Sequence, residues 1–256
     1  MIDRFILFHG ITIRDVMCGR YLLTATPDEI ARFFRDAGID IELRENFPPR
    51  YNIAPSQPIL IMRNGETRKR EAALVSWGFL PSWTKFENSR PQMRPMNNAR
   101  SETAAEKPSF RAAMRRRRCL IPASGFYEWR GEAGVRQPYW IRPAAGGVFA
   151  FAGLWEALMT RDGSELESAA ILTTGAGPDL RPIHHREPVV IAPGQFALWL
   201  DADERDLDRI APLLAPREAG WWIADPVSPD VNSPANDGPG LIAPLGGPVF
   251  KTDLFE

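Results

Sequence analysis

Two cysteines in 256 residues, Cys18 and Cys119, are too few for a disulfide framework, and the chain has only three histidines. Without paired C-x-x-C spacing, Cys18, Cys119, His184 and His185 make a poor zinc set, so neither metal nor cofactor is expected. No apolar run approaches the roughly 18 residues of a membrane span. The apolar stretch in MIDRFILFHG is shorter than a signal-peptide core of at least about 7 residues. Internal repeats, low-complexity tracts, a Walker loop and a dinucleotide fingerprint are all missing. Together these absences exclude a disulfide-stapled secreted fold, a membrane protein and a P-loop or Rossmann enzyme, and they point to the cytoplasm. What is present, 44% hydrophobic and 25% charged residues, suits a globular chain with a true core.

The net charge of -1 conceals an asymmetry. Residues 1–130 hold 22 Lys and Arg against 14 Asp and Glu, and the remainder holds 9 against 18. Such a split fits a polyanion-binding face built by the first half, or a solvated basic surface. Scattered Pro (24) and Gly (20) imply many short elements rather than a helical bundle. A helix is predicted from Thr26-Pro27-Asp28-Glu29, a capping box with proline at the first turn, to Gly38. A second is predicted over Ser101–Arg118, broken near Pro108, with Arg115–Arg118 at its C-terminal end. Strand-like segments at 58–63, 71–77, 119–123, 125–130, 138–142, 148–156, 169–174 and 188–192 outnumber these, and Asn64-Gly65 signals a hairpin. Helical patterning returns at 194–200 and 203–214, before a strand at 221–227. Without regular strand–helix alternation, the expectation is one α+β domain of short, largely antiparallel curved β-sheets with flanking helices and a basic groove.

Four places could carry chemistry. Cys18 follows Met17, a plausible translation start whose methionine is trimmed before a small residue. Cys18 would then bear a free α-amine and a thiol on adjacent carbons, a reagent that closes on aldehydes as a thiazolidine. An α-amine titrates at about 7.7–8.0, against about 10.4 for lysine, so far more of it is free base at neutrality. The bland alternative is a small buried hydrophobe early in a strand. Glu128, in the aromatic strand GFYEW, shares a face with Phe126 and Arg130. Apolar surroundings would raise its pKa into a useful range, unless it simply pairs with an arginine. His184 and His185, adjacent on an extended segment, should point to opposite sides, so one at most serves as acid or base. Asn97–Thr103 could offer an amide, a guanidinium and helix amides to a phosphate or sugar, or Asn98 and Ser101 could merely cap. Trp77 and Trp83 lie among Lys85, Arg90, Arg94 and Arg100, as in a single-strand binder, whereas Trp155, Trp199, Trp221 and Trp222 read as core.

In order, MCGRY, YNIAPSQ (51–57), WGFLPSW (77–83), NARSETAAEKPSFR (98–111), RCLIPASGFYEW (118–129), FAGLWE (151–156), LTT (172–174), IHHREPVVI (183–191) and WLD (199–201) resemble the SOS response-associated peptidase family. The resemblance runs over residues 17–240, leaving 1–16 as a mis-annotated or removed leader and 241–256 as a tail. It implies abasic-site processing in single-stranded DNA, by a thiazolidine crosslink through Cys18 as the N-terminal residue. Associated lyase and self-processing peptidase activities are implied too. By the same resemblance Glu128, His184 and Asn98 join Cys18 as catalytic residues, and Arg20, Arg100 and Arg186 contact phosphates, with Trp83 also at the DNA. Glu187 stands where the family usually has methionine and is expected to face solvent. The implied partner is single-stranded DNA containing abasic sites, with the protein a monomer, in the nucleoid when bound. Competing readings are a cysteine peptidase acting in trans and a non-catalytic reader of modified DNA.

Overall fold

The computed structural model describes residues 19–245 apart from 42, 44–46, 66–68, 89, 133, 134, 161, 162 and 205. Along the chain run β1 (Tyr21–Leu23), α1 (Pro27–Asp36), β2 (Arg50–Ile53), β3 (Pro58–Asn64), β4 (Arg70–Trp77), β5 (Phe86–Glu87), β6 (Arg90–Pro91) and β7 (Asn98–Arg100). They are followed by α2 (Ser101–Ala104), α3 (Arg111–Arg116), β8 (Arg118–Ala123), β9 (Gly125–Glu132), β10 (Val135–Pro143), β11 (Phe149–Met159) and β12 (Glu165–Gly175). The last are β13 (Arg186–Pro188), β14 (Val190–Ile191), α4 (Phe196–Leu200), α5 (Leu207–Ile210) and β15 (Trp222–Pro226).

Five strands close into a ring. β12, β4, β3, β8 and β11 each pair with the next, and β11 pairs back to β12. Closure removes free edges, and every pairing in the ring except the parallel β12–β4 contact is antiparallel. β8 is buried along its whole length, which requires cover outside the ring as well as inside. Part of that cover is α4, whose Trp199 indole N–H donates to the Cys119 carbonyl at 2.8 Å. α1 adds Phe34 against Phe196 at 5.4 Å, and its capping box and Gly38 stop (φ 76°) form as expected. The Cys119 thiol lies in this dry core, and burial pushes its pKa up, so it is no nucleophile.

A second, open sheet has the order β15-β10-β9-β1-β2, antiparallel throughout. Period-two alternation turns Tyr21 and Phe126 toward the ring, where both pack against Phe151 at 5.9 and 6.1 Å. Leu22 and Tyr127 face the other way, into a small second core with Val227, Val231 and Leu241. Polar residues hold that outer layer down. The buried Asn52 side chain donates to the carbonyls of Val231, Ser233 and Asn236 at 3.3, 3.0 and 2.8 Å. Gly125, where the chain passes from ring to open sheet, can be nothing larger: a Cβ there would sit 2.8 Å from the Ile141 carbonyl oxygen.

The architecture is thus α+β, dominated by sheets, as the sequence leads one to expect. Local details differ. The second helix is two short ones, α2 and α3, and β8 already starts at Arg118. Its cationic end divides three ways. Arg115 and Arg116 close α3, Arg117 pairs with Glu156 at 2.7 Å, and Arg118 is buried on the carbonyls of Trp199 and Met114 at 2.6 and 2.8 Å. The β3–β4 hairpin closes at Asn64 opposite Arg70, so its loop is longer than an Asn-Gly turn. Among the described residues no helix is long and apolar enough to cross a membrane.

Candidate active site

Glu128 lies on β9 and is 3% exposed. On one flank its backbone pairs with Tyr139 of β10. On the other, β1 is in register as Tyr21 with Phe126 and Leu22 with Gly125, and the Tyr127 N–H donates to the Arg20 carbonyl at 3.0 Å. Continued one step further, that register brings Gly19, the first described residue, alongside Glu128. Cys18 itself lies outside the described residues.

The NAR and HHRE motifs converge on one strand end. β12 outruns the ring, and its last residues are flanked by β7 and β13. On one side Ile171, Leu172 and Thr173 pair in parallel with Asn98, Ala99 and Arg100. On the other Thr173, Thr174 and Gly175 pair with Pro188, Glu187 and Arg186. Asn98 is therefore a half-buried strand residue, and neither it nor Ser101 caps α2. A chain of contacts ties this end to β1: the Tyr21 ring meets the edge of Trp77 at 5.3 Å, and the Trp77 indole N–H donates to the Asn97 carbonyl at 2.9 Å. Trp77 is fully buried core rather than a stacking surface, whereas Trp83, in the turn closed by Thr84 on Pro81, is 59% exposed.

His184 and His185 do not straddle an extended strand. They sit in a turn, where the His184 N–H donates to Leu180 O at 2.9 Å and the two rings stack at 4.4 Å. The Arg186 backbone N–H donates to His184 Nδ1 at 3.1 Å, which makes Nδ1 an acceptor and leaves the neutral ring's proton on Nε2. Burial, then the neighbouring His185, Arg136 and Arg186 charges, hold the imidazole below its usual pKa, against the Arg186 carbonyl 3.4 Å from Nδ1, which favours the charged form. Arg136 belongs to β10, so the histidine turn lies near the hairpin that carries Glu128.

The arginines divide. Arg100 is exposed. Arg186 is gripped by Glu102, Nη1 to Oε1 at 2.5 Å and Nη2 to Oε2 at 2.8 Å, with Nη2 also on the Thr173 carbonyl at 2.7 Å. That pairing holds the Glu102 carboxyl below the usual range, and it fixes the Arg186 fork, whose side chain is mostly buried. Arg20 donates to Asn52 Oδ1 at 2.8 Å and to the Val231 carbonyl at 2.6 Å, so much of its guanidinium serves the outer layer of the open sheet. Glu187 corrects an expectation. It is 1% exposed rather than solvent-facing, and it accepts the backbone N–H groups of Gly177 at 2.8 Å and Arg217 at 2.7 Å. Burial raises its pKa despite those two bonds.

Glu102, Thr173, Arg136 and Tyr21 are parts of the site that the motifs alone do not single out. Glu102, Thr173 and Tyr21 lie within the NARSETAAEKPSFR, LTT and MCGRY runs, and only Arg136 lies outside every such run. Among the described residues no group of three His, Cys, Asp or Glu side chains gathers as a metal site.

The family model described as SOS response associated peptidase (SRAP) matches residues 17–234. The abasic site processing protein YoqW of Bacillus subtilis is 40% identical over 228 residues, 88% of this chain and 99% of that protein. The abasic site processing protein YedK of Escherichia coli is 30% identical over 233 residues, 90% of this chain and 100% of that protein. A crystal structure of a Bacteroides thetaiotaomicron protein superposes with a TM-score of 0.75 at 24% identity, covering 88% of this chain and 98% of that one. The chain belongs to the SOS response associated peptidase family.

Proposed function

We propose that this protein processes abasic sites in single-stranded DNA by forming a covalent crosslink through Cys18 as its N-terminal residue. The observation that carries the reading is the β1–β9 register, which runs the start of the described chain toward a buried carboxyl group, Glu128. With Cys119 sealed in the core, thiol chemistry in this chain falls to Cys18. The relatives' designation as abasic site processing proteins agrees with a substrate that carries an aldehyde.

The steps balance without a redox partner. The deoxyribose of an abasic site opens when its ring oxygen gains a proton and its anomeric hydroxyl loses one; the Nε2–H of a neutral His184 is suited to the donation. The Cys18 amine adds to the aldehyde carbon, and loss of one water gives an imine. The sulfur then adds to the imine carbon while the thiol proton passes to nitrogen, closing the thiazolidine. Glu128, shielded from solvent, is the group to move these protons, and Asn98 to orient the sugar hydroxyl. Strand cleavage from the imine is the competing outcome. Arg100 and Arg186 hold the flanking phosphates, Trp83 offers a face to a base, and Arg20 chiefly supports the fold beneath. A peptide bond on Cys18 removes the amine, so the residues ahead of it must be absent or removed, the latter by self-processing.

The test compares protein beginning at Met17 with protein beginning at Met1, each incubated with an abasic oligonucleotide and weighed intact. Expected is a product of protein plus oligonucleotide less one water, on chains that begin at Cys18 and on no others. Adduct on chains retaining Met1 would overturn the reading. Peptide cleavage in trans with no adduct would favour a peptidase instead.

A further inference from the structure

Beyond the site, the α2–α3 segment carries a row of cations that the fold does not use. Lys107, Arg111 and Arg115 are exposed at i, i+4 and i+8. Lys107 lies one turn ahead of Arg111, the first residue of α3, because the Arg111 N–H donates to the Lys107 carbonyl at 2.9 Å, and Arg115 lies one turn further along α3. Four residues of helix advance about 6 Å, on the scale of one nucleotide of extended strand. Arg116 is exposed beside them. None of these four side chains makes an ion pair or hydrogen bond among the described residues, unlike their neighbours Arg117 and Arg118.

Helix stability does not account for the row. Like charges four apart repel. Arg115 and Arg116 suit the negative end of α3, but Arg111 occupies its first residue, the positive end, where no acidic residue offsets it. The row is also continuous with the site. Arg100 precedes α2, the Lys107 N–H bonds to the Thr103 carbonyl at 3.0 Å, and Glu102 of the same short helix grips Arg186.

We propose that Lys107, Arg111 and Arg115 form a phosphate track that holds the nucleic-acid strand where it leaves the abasic-site pocket. This rests on the reading above and extends the DNA contact beyond the residues that the family motifs assign. The partner is fixed by charge complementarity and repeat: a row of unpaired, evenly spaced cations matches a sugar–phosphate backbone. An acidic polypeptide is the alternative occupant.

The test uses undamaged oligonucleotides, so that it does not depend on Cys18 chemistry. Binding of a thymidine oligomer of about 6 nucleotides and one of about 20 is followed by anisotropy across a salt series, for the full chain and for Arg111→Gln/Arg115→Gln. Single-stranded contacts contribute about 0.7 each to the slope of log K against log salt. The double variant should therefore lose about 1.4 from the slope for the longer strand, and about tenfold in affinity at moderate salt, with the short strand unaffected. Arg111→Lys/Arg115→Lys should restore the slope, and unchanged melting would show that the fold is intact. Wild-type binding with an unaltered slope in the glutamine variant overturns the track but leaves the crosslinking reading standing, and preferential loss of polyglutamate binding would reassign it to an acidic polypeptide. No binding of either strand by the wild type would overturn the track as well, while the crosslinking reading falls only if abasic oligonucleotide gives no adduct.

Discussion

The closed ring and the open sheet are built from similar strands, yet they are held together differently. In the ring, β8 and most of β3, β11 and β12 are buried on both faces, and apolar packing defines the structure. The open sheet has one apolar face on the ring and a thin outer core of five buried residues, secured by hydrogen bonds from Asn52, Arg20 and Tyr127. The candidate chemistry sits on the less self-sufficient parts: Glu128 on the open sheet, and Asn98 and His184 beside the end of β12 that projects past the ring. Strand ends that leave a rigid ring can offer polar groups without unpairing a buried ladder.

That contrast can be broken at its joint first. Phe126→Ala removes the ring packed on both Phe151 and Trp222 (6.1 and 5.1 Å), and should cost about 3–5 kcal/mol in denaturant unfolding. Asn52→Ala strips the outer layer of three carbonyl contacts and of the Arg20 partner. It should cost about 2–3 kcal/mol, with hydrogen exchange rising in residues 227–241 before it rises in β8. Equal exchange increases in both regions would contradict the distinction between them.

Glu187→Met probes the β12 overhang. Two backbone donors, Gly177 N–H and Arg217 N–H, lose their acceptor, at a cost of about 1–3 kcal/mol for each that stays dry. Removing a buried carboxylate offsets part of that loss, so the measured destabilisation should fall near 1–2 kcal/mol. The smallest effect comes from pH. Because the His184 pKa is lowered in the fold, the unfolded chain binds the proton first as pH falls through about 6.5. The stability contribution of neutral His184 is present above that value and is lost below it. His184→Gln should flatten the stability–pH slope between about pH 5 and 7, and an unchanged slope would rule out a buried neutral ring.

Local chemistry made much of this legible before the structure. The Thr26 capping box, the β-rich central strands and the α+β class rest on neighbours in sequence, and each appears. β1, β2 and β7 were not legible, since three or four residues carry no measurable alternation and gain their strand form from β9, β1 and β12. The site shows the same division. Glu128 stands out as a carboxylate among aromatics. The burial of Glu187 depends on Gly177 and Arg217, and the tethering of Arg20 depends on Val231, 211 residues away. The histidine pair reads as extended only until the Leu180 carbonyl bends it into a turn.

The most direct measurement is the single-turnover rate of adduct formation by Glu128→Gln protein starting at Cys18, on an abasic oligonucleotide, beside wild type and Cys18→Ala. Proton transfer by a positioned side chain is worth about 10²–10⁴-fold. Glu128→Gln should therefore slow the adduct at least about a hundredfold while binding the oligonucleotide with wild-type affinity, and Cys18→Ala should give none. A wild-type rate in Glu128→Gln would contradict a buried carboxyl as the proton carrier, and an adduct on Cys18→Ala would contradict the cysteine.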